Sequence, residues 1–300
     1  AVWEDIYENN GKEISVLANS LWLDKDLVYV QEKMDSIAYD YYASVYQGDL
    51  GSEKTNRAMT NWMRNQTGGL LKDRTQNLQL EPHDQVLAIA STIYFQSKWS
   101  NEFTSNLSKE GLFFTDDGTR TVTYMNQLNN AMHYFWGEDF GAVKLTLRNG
   151  SAMWFILPDE DKTVDDVLSG GDYMNMITMN GEFPDENHKW MKVNLSIPQF
   201  DVSASTDLKA GLQKIGLTKI FDSVGNDFSP SVHSDLPVYL DSINQDTRVA
   251  IDEKGVTAAS YILLEFGAGA AMPPDEIIDF VLDRPFVFAI CSEHIPLFVG

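Results

Sequence analysis

Residues Ile251 to Ile290 run IDEKGVTAASYILLEFGAGAAMPPDEIIDFVLDRPFVFAI and fall into three pieces with different physics. Glu253-Lys254-Gly255 supplies a flexible pivot, because glycine carries no Cβ to restrict its backbone. From Val256 onward a period of two describes a strand with two faces. Val256, Ala258, Ser260, Ile262 and Leu264 form one face, which is small or apolar and carries no charge. Thr257, Ala259, Tyr261, Leu263 and Glu265 form the other. Gly267-Ala268-Gly269-Ala270-Ala271 follows, where no side chain is large enough to pack firmly, and Pro273-Pro274 closes the segment as an extended break. The pattern predicts a strand-competent arm that ends in a loop tip open to proteases. Beyond it, Phe280 to Ile290 is apolar enough to predict a buried strand.

Working outward, Ile14 to Trp22 and Gln85 to Trp99 read as buried strands, the second nearly continuous in apolar and β-branched residues, as a central strand requires. Asp24 to Tyr46 reads as a helix and a short strand. Ser52 to Gln66 is an amphipathic helix capped by Ser52, with Ala58, Met59, Trp62 and Met63 on one face and Gly68 at its end. Thr121–Gln127, Ala142–Leu147, Ala152–Leu157 and Val193–Phe200 supply strands. Asp207 to Phe221 supplies a helix, Pro237 to Ala250 leads into the pivot, and Ile295–Gly300 is a final strand. No repeat or linker divides the chain.

Three hundred residues with 43% hydrophobic content suffice for a sizeable core. A net charge of −22 argues against nucleic acid and anionic membranes as partners, and no apolar run is long enough to span a bilayer. The single cysteine, Cys291, excludes an internal disulfide framework. Catalytic motifs are missing: there is no Gly-x-Ser-x-Gly elbow, no His-Glu-x-x-His and no phosphate-cradling glycine loop. His83, His133, His188, His233 and His294 stand among polar neighbours and read as surface residues. Cys291-Ser-Glu-His294 is half a metal site without a second half. No cofactor is expected.

Two parts of the quoted stretch carry a family resemblance. Glu253-Lys254-Gly255-Val256-Thr257-Ala258-Ala259-Ser260 resembles the reactive-loop hinge of the serpins. Phe280 to Ile290, centred on Asp283-Arg284-Pro285-Phe286, resembles their C-terminal signature. Ala18-Asn19-Ser20-Leu21-Trp22, the Met59–Leu70 run and Tyr94-Phe95-Gln-Ser-Lys-Trp99 are similar to further serpin elements, so the likeness covers nearly the whole chain. It implies an α+β fold: one domain over residues 1–300, a large central mixed sheet, smaller sheets, surrounding helices and an exposed reactive loop at about 253–275. The family's first helices have no counterpart ahead of Ala1, which predicts an N-terminally incomplete domain.

The resemblance also implies a mechanism. A serine protease attacks the loop and forms an acyl-enzyme, and the freed arm inserts into the central sheet before hydrolysis, a transition for which serpins are the standard example. In the family, a tryptophan at the position of Trp99 marks where the loop first enters the sheet (the breach). Ser91 and Gln245 stand where the family often places Asn and His in a polar cluster beneath the opening sheet (the shutter). Taking Gly255 as the fifteenth residue before the cut places the scissile bond at Gly269–Ala270, and counting back from Pro273-Pro274 places it at Ala270–Ala271. Either choice puts a tiny residue in the protease's primary pocket, which favours elastase-like or subtilisin-like targets. The resemblance further implies an extracellular monomer, with polymerisation by loop insertion as a side reaction. The runner-up reading is a non-inhibitory relative acting as a carrier or chaperone.

Overall fold

The computed structural model describes residues 4, 7–10, 12–69, 80, 87–178, 185–222, 224, 228, 230–233, 238–240, 243–256 and 276–300. Among the described residues the first sheet has seven strands: β1 (Glu8–Asn9), β2 (Ile14–Asp24), β4 (Ala43–Gly48), β5 (Leu87–Lys98), β11 (Phe200–Asp207), β13 (Asn244–Asp252) and β14 (Gly255–Val256). They are hydrogen-bonded in the order β1-β2-β5-β14-β13-β11, with β4 parallel to β2. The second sheet contains β6 (Lys109–Thr115), β7 (Gly118–Trp136), β8 (Phe140–Thr146), β9 (Ala152–Pro158), β10 (His188–Pro198), β15 (Ile277–Val281), β16 (Val287–Ser292) and β17 (Ile295–Val299). Its order is β15-β10-β7-β8-β9-β16-β17, with β6 beside β7. A small antiparallel pair joins β3 (Val28–Tyr29) to β12 (Val232–His233).

The chain divides into two compact units. The first comprises Ala1–Asn9, Ile14–Phe95 and Val202–Arg248. Among the described residues its helices include α1 (Gln31–Asp40), α2 (Glu53–Gln66) and a later short one. Ser52 caps α2 by accepting a hydrogen bond from the Thr55 N–H at 3.3 Å. The buried stripe of α2 is Thr55, Met59, Trp62 and Met63, packed with Trp22, Leu50 and Ala90. Ala58, expected on that stripe, is exposed. One residue turns a helix by about 100°, so the position before Met59 leaves the stripe and Thr55, four residues before it, joins.

The second unit comprises Asn10–Glu13, Gln96–Asp201 and Val249–Gly300, and contains the whole of the second sheet. Its helices α3 (Val164–Gly170) and α4 (Asp172–Thr178) bury Val167, Met176 and Ile177 with Phe140, Ala142, Trp154, Ile156, Val287 and Ala289. Ala152 to Pro158 are buried without interruption, as a strand covered on both faces requires.

Three expectations are corrected. Phe280 to Ile290 is two strands rather than one: β15 pairs with β10, and β16 pairs with β9. The break falls at Asp283-Arg284-Pro285, where proline has no N–H for a ladder and Arg284 donates from Nη2 to the Pro158 carbonyl at 2.8 Å. The helix expected over Asp207–Phe221 shrinks to α5 (Lys209–Lys214) and a single turn at Lys219–Phe221, because Asp207 still belongs to β11 and Gly216, at φ 99°, cannot continue a helix. The strand expected from Val193 begins earlier, at His188. No helix among the described residues is long and apolar enough to cross a membrane.

Candidate functional site

The site forms where β13 turns back as β14. Asp252 is the last residue of β13, Glu253-Lys254 make the turn, and Gly255-Val256 return antiparallel, with Asp252 opposite Gly255 and Ile251 opposite Val256. The Asp252 carboxylate fixes the turn: its Oδ1 accepts from the Lys254 N–H at 2.8 Å and from the Gly255 N–H at 3.2 Å. An aspartate capping its own following backbone in this way is a standard turn device. On its other edge β14 pairs with β5, Gly255 opposite Lys98 and Val256 opposite Ser97. The two residues are therefore a central strand, bonded on both sides.

Gly255 is required by contact as well as by flexibility. A Cβ there would lie 2.3 Å from the Ser97 carbonyl oxygen and 2.6 Å from the Lys98 Cα, both backbone atoms. Any side chain would push the strands apart. Val256 is 2% exposed, so the first apolar residue of the arm is already in the core.

Trp99 holds the turn from outside. Its indole Nε1 donates to the Asp252 carbonyl at 2.8 Å, and its backbone N–H donates to the Lys254 carbonyl at 3.0 Å. The Phe103 N–H donates to the Glu253 carbonyl at 2.8 Å, so three successive carbonyls of the turn each meet a donor. The Ser108 hydroxyl donates to Glu253 Oε1 at 2.7 Å. Trp99 itself is 1% exposed and packs edge-on to Phe103, with ring centroids 6.0 Å apart, and tilted to Phe155 at 6.4 Å. Its burial with a satisfied N–H is the usual condition for a core tryptophan.

Glu253, Gly255, Val256 and Trp99 thus meet in one place. Ser91 donates to Asn19 Oδ1 at 2.8 Å, and Asn19 Nδ2 donates to the Tyr41 carbonyl at 3.2 Å. Gln245 is exposed on β13. Thr257, Ala258, Ala259, Ser260 and the scissile candidates Gly269, Ala270 and Ala271 lie outside the described residues. Sequence reasoning missed Phe103 and Ser108, which reach the turn from about 150 residues away in the chain with no local signal. Asn19 did carry one, as a carboxamide within a largely apolar strand. Among the described residues no group of three or more His, Cys, Asp or Glu could hold a metal.

The sheet arrangement and the seated hinge define a protein of the serpin class. The chain matches the family model described as "Serpin (serine protease inhibitor)" over residues 1–300, and it belongs to the serpin family. It is 26% identical over 289 residues to an alpha-1-antitrypsin of Meriones unguiculatus, covering 94% of this chain and 67% of that protein. The chain spans about two thirds of the length of the curated relatives it matches. Among solved structures it is similar to the thermophilic serpin tengpin in the native state, with a TM-score of 0.83 at 24% identity, covering 99% of this chain and 75% of the other. Human thyroxine-binding globulin gives a TM-score of 0.80 at 20% identity, covering 100% and 77%. These likenesses show a serpin fold.

Proposed function

We propose that the protein is an inhibitory serpin, a suicide trap for a serine protease that cuts after small residues. The observation that supports this most is β14, which already occupies the place between β5 and β13 that a longer arm would extend. In the proposed reaction the protease serine Oγ attacks the carbonyl carbon of Gly269 (or Ala270). An ester forms to that carbon, the amide bond to the next residue breaks, and the leaving amine takes its proton from the protease histidine. The arm from Thr257 onward then continues β14 into the sheet and carries the acyl-enzyme with it.

The physical chemistry favours insertion. The inserting face carries no charge, so no unpaired ion is buried. About a dozen new backbone hydrogen bonds, each worth roughly 0.5–1.5 kcal/mol net, together with apolar burial give on the order of 10 kcal/mol. That equals the whole stability of an ordinary domain. The absence of Lys or Arg between Gly255 and Asp275 supports an elastase-like or subtilisin-like target over a trypsin-like one. On this reading the protein acts as an extracellular monomer.

The test is incubation with an elastase and with a subtilisin, followed by denaturing electrophoresis. A covalent species of the summed mass, with cleavage after Gly269 or Ala270, is expected. Clean cleavage by every small-residue protease with no covalent species overturns the proposal and leaves a carrier or chaperone role.

A further inference from the structure

Within the second unit, the register of β7 against β10 sets Phe135 opposite His188 and His133 opposite Trp190. Residues 133 and 135 share one face of their strand, and so do 188 and 190, so all four rings stand together. The imidazoles of His133 and His188 stack at 5.0 Å and 18°. Trp190 meets His133 edge-on at 5.1 Å, and Phe135 continues the row to Trp154 at 4.9 Å. The Lys144 ammonium lies 5.4 Å from the centre of the Trp154 ring. These rings line a cleft of about 460 Å³, within the usual range for small-molecule sites.

Two further observations bear on what would fill it. First, the chain carries 44 acidic residues and a net charge of −22, yet no Asp or Glu is among the described residues lining the cleft. Lys144 has no carboxylate within ion-pair distance among the described residues, and its partner there is the Trp154 ring. Second, His188 Nδ1 is buried with no hydrogen-bond partner among the described residues. With no exposed surface that nitrogen is out of a ligand's reach, and His188 presents the cleft with its ring alone. Burial first, and the neighbouring His188 second, hold His133 below the ordinary histidine range, so at neutral pH its ring offers an uncharged stacking face.

We infer that this cleft binds a small planar aromatic carboxylate, its ring stacked along the His133–His188–Trp190 row and its anionic end toward Lys144. The site is independent of the loop and of the inhibitory reading. Titrating the whole protein with 2-naphthoate, followed by tryptophan fluorescence and calorimetry, tests it. One saturable site is expected, with a Kd on the order of 10–100 µM for a ligand of about thirteen heavy atoms. Trp190→Ala should weaken binding about three- to tenfold by removing a stacking partner. Lys144→Met should weaken it about tenfold or more by removing the charge. Lys189→Met, on the opposite face of β10, should leave it unchanged. Circular dichroism checks that each variant folds; if Trp190→Ala does not, Trp190→Phe with retained binding and Lys144→Met with reduced binding decide the matter. No saturable binding up to about 1 mM, equal affinity for the uncharged 2-naphthamide, or unchanged affinity in Lys144→Met overturns the assignment.

Discussion

Gly255, Trp99 and Cys291 show how much single positions decide here. At Gly255 the limiting fact is the 2.3 Å that separates a hypothetical Cβ from the Ser97 carbonyl oxygen. Gly255→Ala is therefore expected to force β14 off β5 and to cost about 1–3 kcal/mol in urea unfolding, the range typical of overpacking. Trp99→Phe keeps most of the apolar ring but removes the donor to the Asp252 carbonyl. About 1–2 kcal/mol should be lost, measured the same way. Burial pushes the Cys291 thiol up to about 11. The unfolded chain ionises this thiol first, from about pH 8.5, so the group's contribution to stability is complete below that value and is lost as pH rises toward 11. A thiol reagent at pH 8 should therefore react only as fast as the protein opens; rapid stoichiometric labelling of the native protein would refute this. The importance of Gly255 and Trp99 was legible in the sequence, through the hinge pattern and the Tyr-Phe-x-x-x-Trp run. The roles of Phe103 and Ser108 were not, because nothing near them in the chain marks a residue whose partner lies about 150 positions later.

At the scale of elements, the decisive one is the two-residue strand β14. Both of its residues, Gly255 and Val256, are buried, and which strands it pairs with cannot be read from the alternation of the sequence. A charge at Val256 would be buried at a position now 2% exposed, between β5 and β13. Val256→Glu is expected to abolish the covalent protease complex while leaving the loop cleavable, so that gels show only cut protein. A full yield of complex from that variant would separate trapping from this strand. Elsewhere, periodicity found many of the elements, misjudged their ends, and missed the strand β6 and the helices α3 and α4 altogether. The strand at Ile14 and the helix from Glu53 appear as expected. The apolar run at Phe280–Ile290 breaks because Pro285 and the Arg284 contact to Pro158 interrupt it. Ala58 shows the finer limit: a small residue beside a buried stripe carries no signal of which side it takes.

For the molecule as a whole, the proposed mechanism requires that the uncut protein hold back a more stable arrangement. If insertion is worth on the order of 10 kcal/mol, cutting the loop near Gly269 should raise Tm by about 20 °C or more for a chain of this size. Calorimetry before and after limited digestion by a small-residue protease measures this directly. An unchanged Tm would mean that the central sheet gains no strand. Net charge acts at this scale too: at −22, association with cationic proteases is favoured and should slow with added salt.

The family, the hinge pattern, the charge-free face of the arm and the small residues at the candidate cut were all legible in the sequence alone, because these are properties of consecutive residues and their alternation. Only the tertiary structure decided that Gly255 and Val256 are seated between β5 and β13, and that His133, His188, Trp190, Phe135 and Trp154 share one wall of a cleft. Those arrangements depend on strand partners and register, and pairing is settled by contacts between residues far apart in the chain, which local pattern does not encode.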